Sequence, residues 1–269
     1  MAVKEASLSL NTFNKEIKME KDESKELIIY GKQPVFELLR SKHPINEIII
    51  AREMEKKDAE KLRNLSLKRN VRISYVQKAN LQKLCGPVLH QGIVAILDEF
   101  KYINESQLKK TIQSSPNPFI LILDQIQDPH NFGAIIRTAE FVGITVIILP
   151  EKGNSSITST VVKTSAGAVF HSLIHRTYNL AGTMEKLQDE NITLIAMVPH
   201  QQKTIYETDL KRPLAIVIGN EGKGVRKNIR RLCHQSISIP GRGKVESLNA
   251  SVSTAVALFE TVRQRRIQD

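Results

Sequence analysis

The chain has 269 residues, 41% of them hydrophobic and 25% charged, proportions of a folded soluble protein rather than a disordered, collagenous or membrane one. With 39 basic against 28 acidic side chains it carries +11 at neutral pH, which makes a polyanion the expected partner. Only Cys85 and Cys233 occur, without CxxC spacing, which speaks against a disulfide framework or a structural zinc site and fits a reducing cytoplasm.

In chain order, residues 1–26 hold 5 basic and 6 acidic side chains and no apolar signal core; they read as a charge-balanced flexible extension rather than a targeting segment. No apolar run reaches the roughly 18 residues of a membrane span, so no membrane partner is expected. Over 27–98 the pattern alternates. A helical stretch holds Val35, Leu38 and Leu39, followed by the run at 48–51, a polar helical stretch over 54–69, VRISYV at 71–76, a short helix over 79–85 and GIVAIL at 92–97. That is a small α/β domain. Residues 99–118 are polar, have two prolines near their end and read as a linker.

From residue 119 to 269 a second domain is expected. FILILD (119–124), VIILP (146–150), ITLIAMV (192–198), PLAIVIG (213–219) and SISIP (236–240) are continuous apolar runs, the pattern of strands buried on both faces. Helical stretches over 131–142, 157–168, 180–190 and 225–232 lie between them, predicting a mostly parallel sheet with crossover helices. A last helix over 249–266 has Asn249 as its N-cap and sets Val252, Val256, Phe259 and Val262 on one stripe, expected to pack on the sheet. Both parts are basic: 16 basic against 9 acidic side chains over 27–118, and 18 against 13 over 119–269.

Ligands of an open parallel sheet sit beyond the carboxyl ends of its strands, which singles out three loops: 123–143, 216–226 and 236–260. Val225 stands where a Walker loop needs lysine, and neither glycine cluster completes GxGxxG, so nucleotide hydrolysis and hydride transfer are disfavoured. Asp128-Pro129 before Asn131 reads as a turn and helix cap as readily as a site, and Arg137 among Ile135, Ile136 and Ala139 as a snorkelling or paired side chain as readily as a ligand. Glu221, inside a glycine-rich loop, has little local packing to perform. Lys223, Arg226, Lys227, Arg230 and Arg231 repel one another without an anion and are expected to contact phosphate. His171 and His175, at i, i+4, lack a third metal ligand, and no metal site is expected.

Taken together the three loops, with NFGAIIRTA at 131–139, IGNEGKG at 218–224 and IP followed by SLNASV at 247–252, resemble the sequence motifs of the SpoU (TrmH-like) branch of the SPOUT RNA methyltransferases. YGKQPVFELL and HQGIVAI resemble the small L30e-like domain of the ribosomal-RNA guanosine 2′-O-methyltransferases in that family. The resemblance implies a C-terminal domain with a deep trefoil knot, a homodimer through the knotted domains, and S-adenosylmethionine as methyl donor. It implies cofactor contacts from Gly219, Ile239 and Leu248, and a catalytic set of Asn131, Arg137, Glu221, Ser247 and Asn249. A guanidinium is effectively always protonated, so the preferred role for Arg137 is to bind the phosphate beside the target ribose and stabilise the oxyanion. Glu221 and Ser247 are expected to tie the second and third motifs together. The expected activity is methyl transfer to a ribose 2′-hydroxyl of large-subunit ribosomal RNA, with transfer RNA as the alternative substrate and a non-catalytic RNA-binding scaffold as the alternative class.

Overall fold

A computed structural model describes residues 26–266; apart from Glu26, the extension read over 1–26 lies outside them. The first sheet has four strands: β1 (Leu27–Tyr30), β2 (Glu47–Ala51), β3 (Arg72–Val76) and β4 (Ile93–Leu97). They stand in the order β1-β4-β2-β3, with β4 antiparallel to both neighbours and β2 parallel to β3. Helices α1 (Lys32–Arg40), α2 (Lys56–Arg69) and α3 (Lys78–Cys85) connect them. Two strands were not revealed by the apolar pattern: β1, whose LIIY follows a charged stretch and starts without a turn signal, and the IHRT strand at Ile174–Thr177, which is only half apolar.

Residues 99–118 are more than a linker. They contain a helix, α4 (Glu105–Ser114), closed at its start by a capping box in which Asn104 accepts from the Gln107 amide and the Gln107 side chain accepts from Asn104 N–H. Its Leu108 and Ile112 bury against β5 (Phe119–Asp124) and β6 (Val146–Pro150). The composition was polar because this helix covers the sheet with two residues only.

The second sheet has six strands, all parallel: β5, β6, β7 (Ile174–Thr177), β8 (Thr193–Met197), β9 (Leu214–Gly219) and β10 (Gln235–Ile237), in the order β10-β8-β9-β5-β6-β7. The crossovers are α5 (Pro129–Phe141), α6 (Ser159–Thr164) with a 3-10 turn at 168–170, α7 (Leu180–Asp189) and α8 (Lys227–Arg231), and the last helix is α9 (Ala250–Arg266). Because β5 neighbours β6 on one side and β9 on the other, the connections diverge there and open a crevice at the strand ends. In the register Asp124 stands beside Gly219, so the loops after β5 and β9 leave the sheet side by side.

His171 follows the 3-10 turn and His175 lies in β7. The expected stripe of α9 is corrected, because it is split: Val262 packs on the core and Val256 is half-buried, while Val252 and Phe259 turn outward. Val252 and Phe259 are each 48% exposed, whereas Ala250, Thr254, Ala257, Leu258, Thr261 and Gln264 are buried. The small and hydroxylated residues win that face because α9 packs closely on α5, and Thr254 and Thr261 satisfy their hydroxyls on the carbonyls of Ala250 and Ala257. A single buried cluster runs from Ile29, Leu38 and Phe100 in the first half to Phe170, Ile135 and Leu258 in the second, so the two sheets share one core.

Candidate functional site

Each of the three loops is set by local chemistry. Asp128 caps α5, accepting from the amides of His130 (3.1 Å) and Asn131 (3.2 Å), and Pro129 occupies the first helical turn. This holds Asn131 in the first turn, above the sheet. Gly133 then lets α5 approach α6: a Cβ there would lie 2.9 Å from the Val161 carbonyl oxygen. After β9, Asn220 shapes the second loop. Its side-chain oxygen accepts from the amides of Gly222 (2.9 Å) and Lys223 (3.2 Å), its amide donates to the Gln125 carbonyl (3.1 Å), and its backbone carbonyl accepts from Gly224 (2.7 Å). The loop folds so tightly onto the strand end that a Cβ on Gly219 would fall 2.2 Å from the Gly224 carbonyl carbon; glycine is required there.

Below the loops Asp124, fully buried, accepts from the Arg226 backbone N–H (2.9 Å) and from its Nε (2.7 Å) and Nη2 (2.7 Å). Of the five cations expected on phosphate, Arg226 is therefore committed to a buried carboxylate. Arg230 donates to Ser236 Oγ and Gln201 Oε1. The other three, Lys223, Lys227 and Arg231, are exposed. Asp124 and Asn220 are the residues that sequence reasoning missed. Their signals were a lone carboxylate ending an all-apolar strand and an amide directly after a strand-ending glycine.

The three loops meet at Glu221. Its Oε1 accepts from Asn131 Nδ2 (2.7 Å), Asn249 Nδ2 (2.6 Å) and the Ala250 backbone N–H (3.1 Å), and Asn249 Nδ2 also donates to Asn131 Oδ1 (3.0 Å). Asn249 is oriented by its second role: its Oδ1 caps α9, accepting from the amides of Ser251 (2.9 Å) and Val252 (3.4 Å) and from Ser251 Oγ (2.6 Å). The carboxylate thus sits at a helix N-terminus, where the helix dipole favours it.

Three of the expected residues, Asn131, Glu221 and Asn249, are therefore in direct contact. Ser247 is exposed and makes no side-chain hydrogen bond among the described residues, so the tie between the second and third motifs runs through Glu221 and Asn249 instead. Arg137 is exposed and lies two turns further along α5, about 9 Å along the axis from Asn131. It lines a separate cavity of about 490 Å³ between the halves of the chain, facing Gln33, Glu37 and His171. Among the proposed cofactor residues, Gly219 ends β9, Ile239 is half-buried against the core, and Leu248 is 47% exposed.

The donor set is suited to an uncharged adenosyl group. Residues 240–248 make no backbone hydrogen bond within the chain among the described residues, so their amides and carbonyls are available to read a base edge. Ile239 and Leu248 offer apolar contact, and Gly219, required to be glycine by the close approach of the Gly224–Val225 backbone, ends β9 at the mouth of the crevice. Among the described residues no group of three His, Cys, Asp or Glu side chains is arranged to hold a metal, and no helix is long and apolar enough to cross a membrane.

Comparison with known proteins bears on the family and the fold. The SpoU rRNA Methylase family model matches residues 118–259, and the model for RNA 2'-O ribose methyltransferase substrate binding matches residues 28–103. The chain is 37% identical to the 23S rRNA (guanosine-2'-O-)-methyltransferase RlmB of Haemophilus influenzae, over 88% of this chain and 97% of that protein. It is 36% identical to the enzyme of the same description from Escherichia coli K12, over 88% and 98%. In fold it is similar to the SpoU methyltransferase AviRb of Streptomyces viridochromogenes, solved in complex with the cofactor AdoMet, with a TM-score of 0.76 at 24% identity, covering 91% of this chain and 92% of that one.

Proposed function

The chain belongs to the SpoU rRNA methylase family, and from that membership we propose that it transfers a methyl group from S-adenosylmethionine to the ribose 2′-hydroxyl of a guanosine in 23S-type ribosomal RNA. The observation that carries the reading is the contact of Asn131, Glu221 and Asn249, which joins three loops at the crevice where β5 and β9 diverge. A binding scaffold has no need of that buttressed arrangement.

S-adenosylmethionine supplies an electrophilic methyl on a sulfonium. The chain's own contribution is alignment and charge. The backbone of 240–248, with Gly219, Ile239 and Leu248, holds the adenosyl part; Glu221 fixes the relative position of the second and third loops through Asn249; and Asn131 presents its amide to the reacting hydroxyl. Arg137, exposed in its separate cavity, is assigned to the phosphate beside the target ribose, and the hydroxyl proton leaves to phosphate or water.

The same reading assigns 27–98 to an L30e-like RNA-binding domain and 119–269 to a knotted catalytic domain, with the chain after Gly219 threaded through the trefoil. It also makes the protein a homodimer acting in the cytoplasm. The outward stripe of α9 supports a dimer: Val252 and Phe259 are each 48% exposed and Phe141 of α5 is 76% exposed, with the two rings 6.2 Å apart. Its two cysteines are free, as a reducing compartment allows.

The test is methyl transfer from labelled cofactor to unmodified 23S ribosomal RNA and, separately, to unmodified transfer RNA, with the product mapped by nuclease digestion and mass. The expected product is one 2′-O-methylguanosine in 23S RNA; label in transfer RNA alone overturns the substrate, and no cofactor binding overturns the enzyme. Arg137→Lys is expected to lower turnover about 10²-fold, since a point charge replaces a planar fork that binds phosphate bidentately. Near-normal turnover would show that the fork is not used.

A further inference from the structure

The catalytic crevice does not account for a second charged feature, on the N-terminal half. Lys57, Lys61, Asn64 and Lys68 succeed one another at steps of four, three and four residues along α2, so they line one face of it. All four are exposed. Among the described residues the three lysines form no salt bridge, although the same helix spends Asp58 on Lys32. Lys61 is held in place instead by an aromatic face, its ammonium lying 4.5 Å from the centroid of Phe36.

The first three residues of this stripe form one wall of a trough, and Lys68 continues it beyond the trough's end. A cavity of about 350 Å³ is lined by Lys57, Glu60, Lys61, Asn64 and Leu65 of α2 and, across from them, by Arg40 at the end of α1. Cations thus stand on both walls, with Glu60 the single carboxylate. Helix α1 also connects this trough to the cavity that holds Arg137: Gln33 and Glu37 line that cavity, and Arg40 donates to Glu37 Oε1 at 2.6 Å. Along α1 the two linings are only three to seven residues apart, about 5–10 Å from Glu37 or Gln33 to Arg40.

We propose that Lys57, Lys61, Lys68 and Arg40 form a phosphate rail: the RNA strand flanking the target nucleotide leaves the cavity of Arg137, crosses α1 and runs along α2. The proposal rests on the RNA-methyltransferase reading and says where on the small domain the substrate lies. Like charges four residues apart repel in the free protein, and a polyphosphate relieves that repulsion while releasing its counterions. The contact is to backbone and carries no sequence preference of its own.

The experiment uses the full-length protein and unmodified 23S ribosomal RNA. A variant with Lys57→Gln, Lys61→Gln and Lys68→Gln is compared with one of equal charge change, Lys101→Gln, Lys109→Gln and Lys110→Gln, on the 99–118 segment. The rail variant is expected to raise KM for RNA about tenfold or more near physiological salt and to flatten the slope of log affinity against log salt by about 2, three phosphates at about 0.7 each. Its kcat, cofactor affinity and Tm stay unchanged, and the matched variant stays within about twofold of the parent in all of these. Equal effects of the two variants, or an unchanged salt slope, would overturn the rail. RNA binding that depends on the rail in a protein that transfers no methyl would keep the rail and remove the enzyme reading. Loss of an acidic protein partner with RNA affinity intact would assign the lysines to another ligand and overturn the proposal.

Discussion

Glu221 is an exposed carboxylate with an unusual share of donors: two side-chain amides and one backbone N–H converge on a single oxygen. Charge-assisted hydrogen bonds are each worth about 1.5–3 kcal/mol when a partner is lost, reduced here by solvent. Glu221→Gln keeps the shape but turns one oxygen into a donor that meets donors. The expected outcome is a 10- to 100-fold loss of turnover, on the order of 1–3 kcal/mol, with a small change in Tm, read from single-turnover methyl transfer and thermal unfolding. Unchanged turnover would mean that the three loops do not need this tie. Asn249→Ala, in contrast, removes a helix cap as well as a donor and is expected to cost about 1 kcal/mol of stability in addition.

Among the elements, α9 departs most from its expected placement. Its buried face is made of Ala250, Thr254, Ala257, Leu258 and Thr261, small enough to bring it against α5, while Phe259 points out beside Phe141. This apolar pair stands exposed on the rim of the cavity that Arg137 lines, and it is the kind of surface that a second copy covers, bringing that copy up against the Arg137 cavity. Phe141→Asp with Phe259→Asp is expected to convert a dimer to a monomer in sedimentation velocity without lowering Tm by more than a few degrees. A parent protein that sediments as a monomer at micromolar concentration would sink the dimer.

At the scale of the whole molecule the two sheets are joined by one core, and His43 marks the seam. Its ring stacks on Phe100 at 4.8 Å and meets Phe170 of the other half edge-on at 5.4 Å. Burial, reinforced by the positive charges of His171, Lys101 and Arg69, holds its pKa below the usual 6.5. A histidine with a lowered folded pKa is protonated first in the unfolded chain, so its contribution is intact above about 6.5 and is lost as pH falls from there toward the folded value. His43→Phe keeps the stacking and removes the titration, so the fall in Tm between about pH 7.5 and 5.5 is expected to be smaller than in the parent. An identical fall would place the pH dependence elsewhere. The shared core also predicts one calorimetric transition, with equal calorimetric and van't Hoff enthalpies, rather than two; two separated peaks would show that the halves unfold independently.

The amino-acid order alone determined the parallel sheet, because β5, β6, β8 and β9 are apolar on both faces and nothing else produces such runs between helical stretches. It also singled out the three loops, since they follow the carboxyl ends of those strands. Asn249 was legible as a cap because the preference is local. What only the tertiary structure decided is which of these residues meet. Glu221 reaches Asn131 across 90 positions of chain, and Arg226 is taken by Asp124 across 102, pairings that local periodicity cannot encode. Ser247 and Arg137 share motifs with the Glu221 cluster yet stand outside it. Likewise the outward turn of α9 was invisible in its sequence, because a hydrophobic stripe shows that a face seeks burial but not whether its own sheet or another surface provides it.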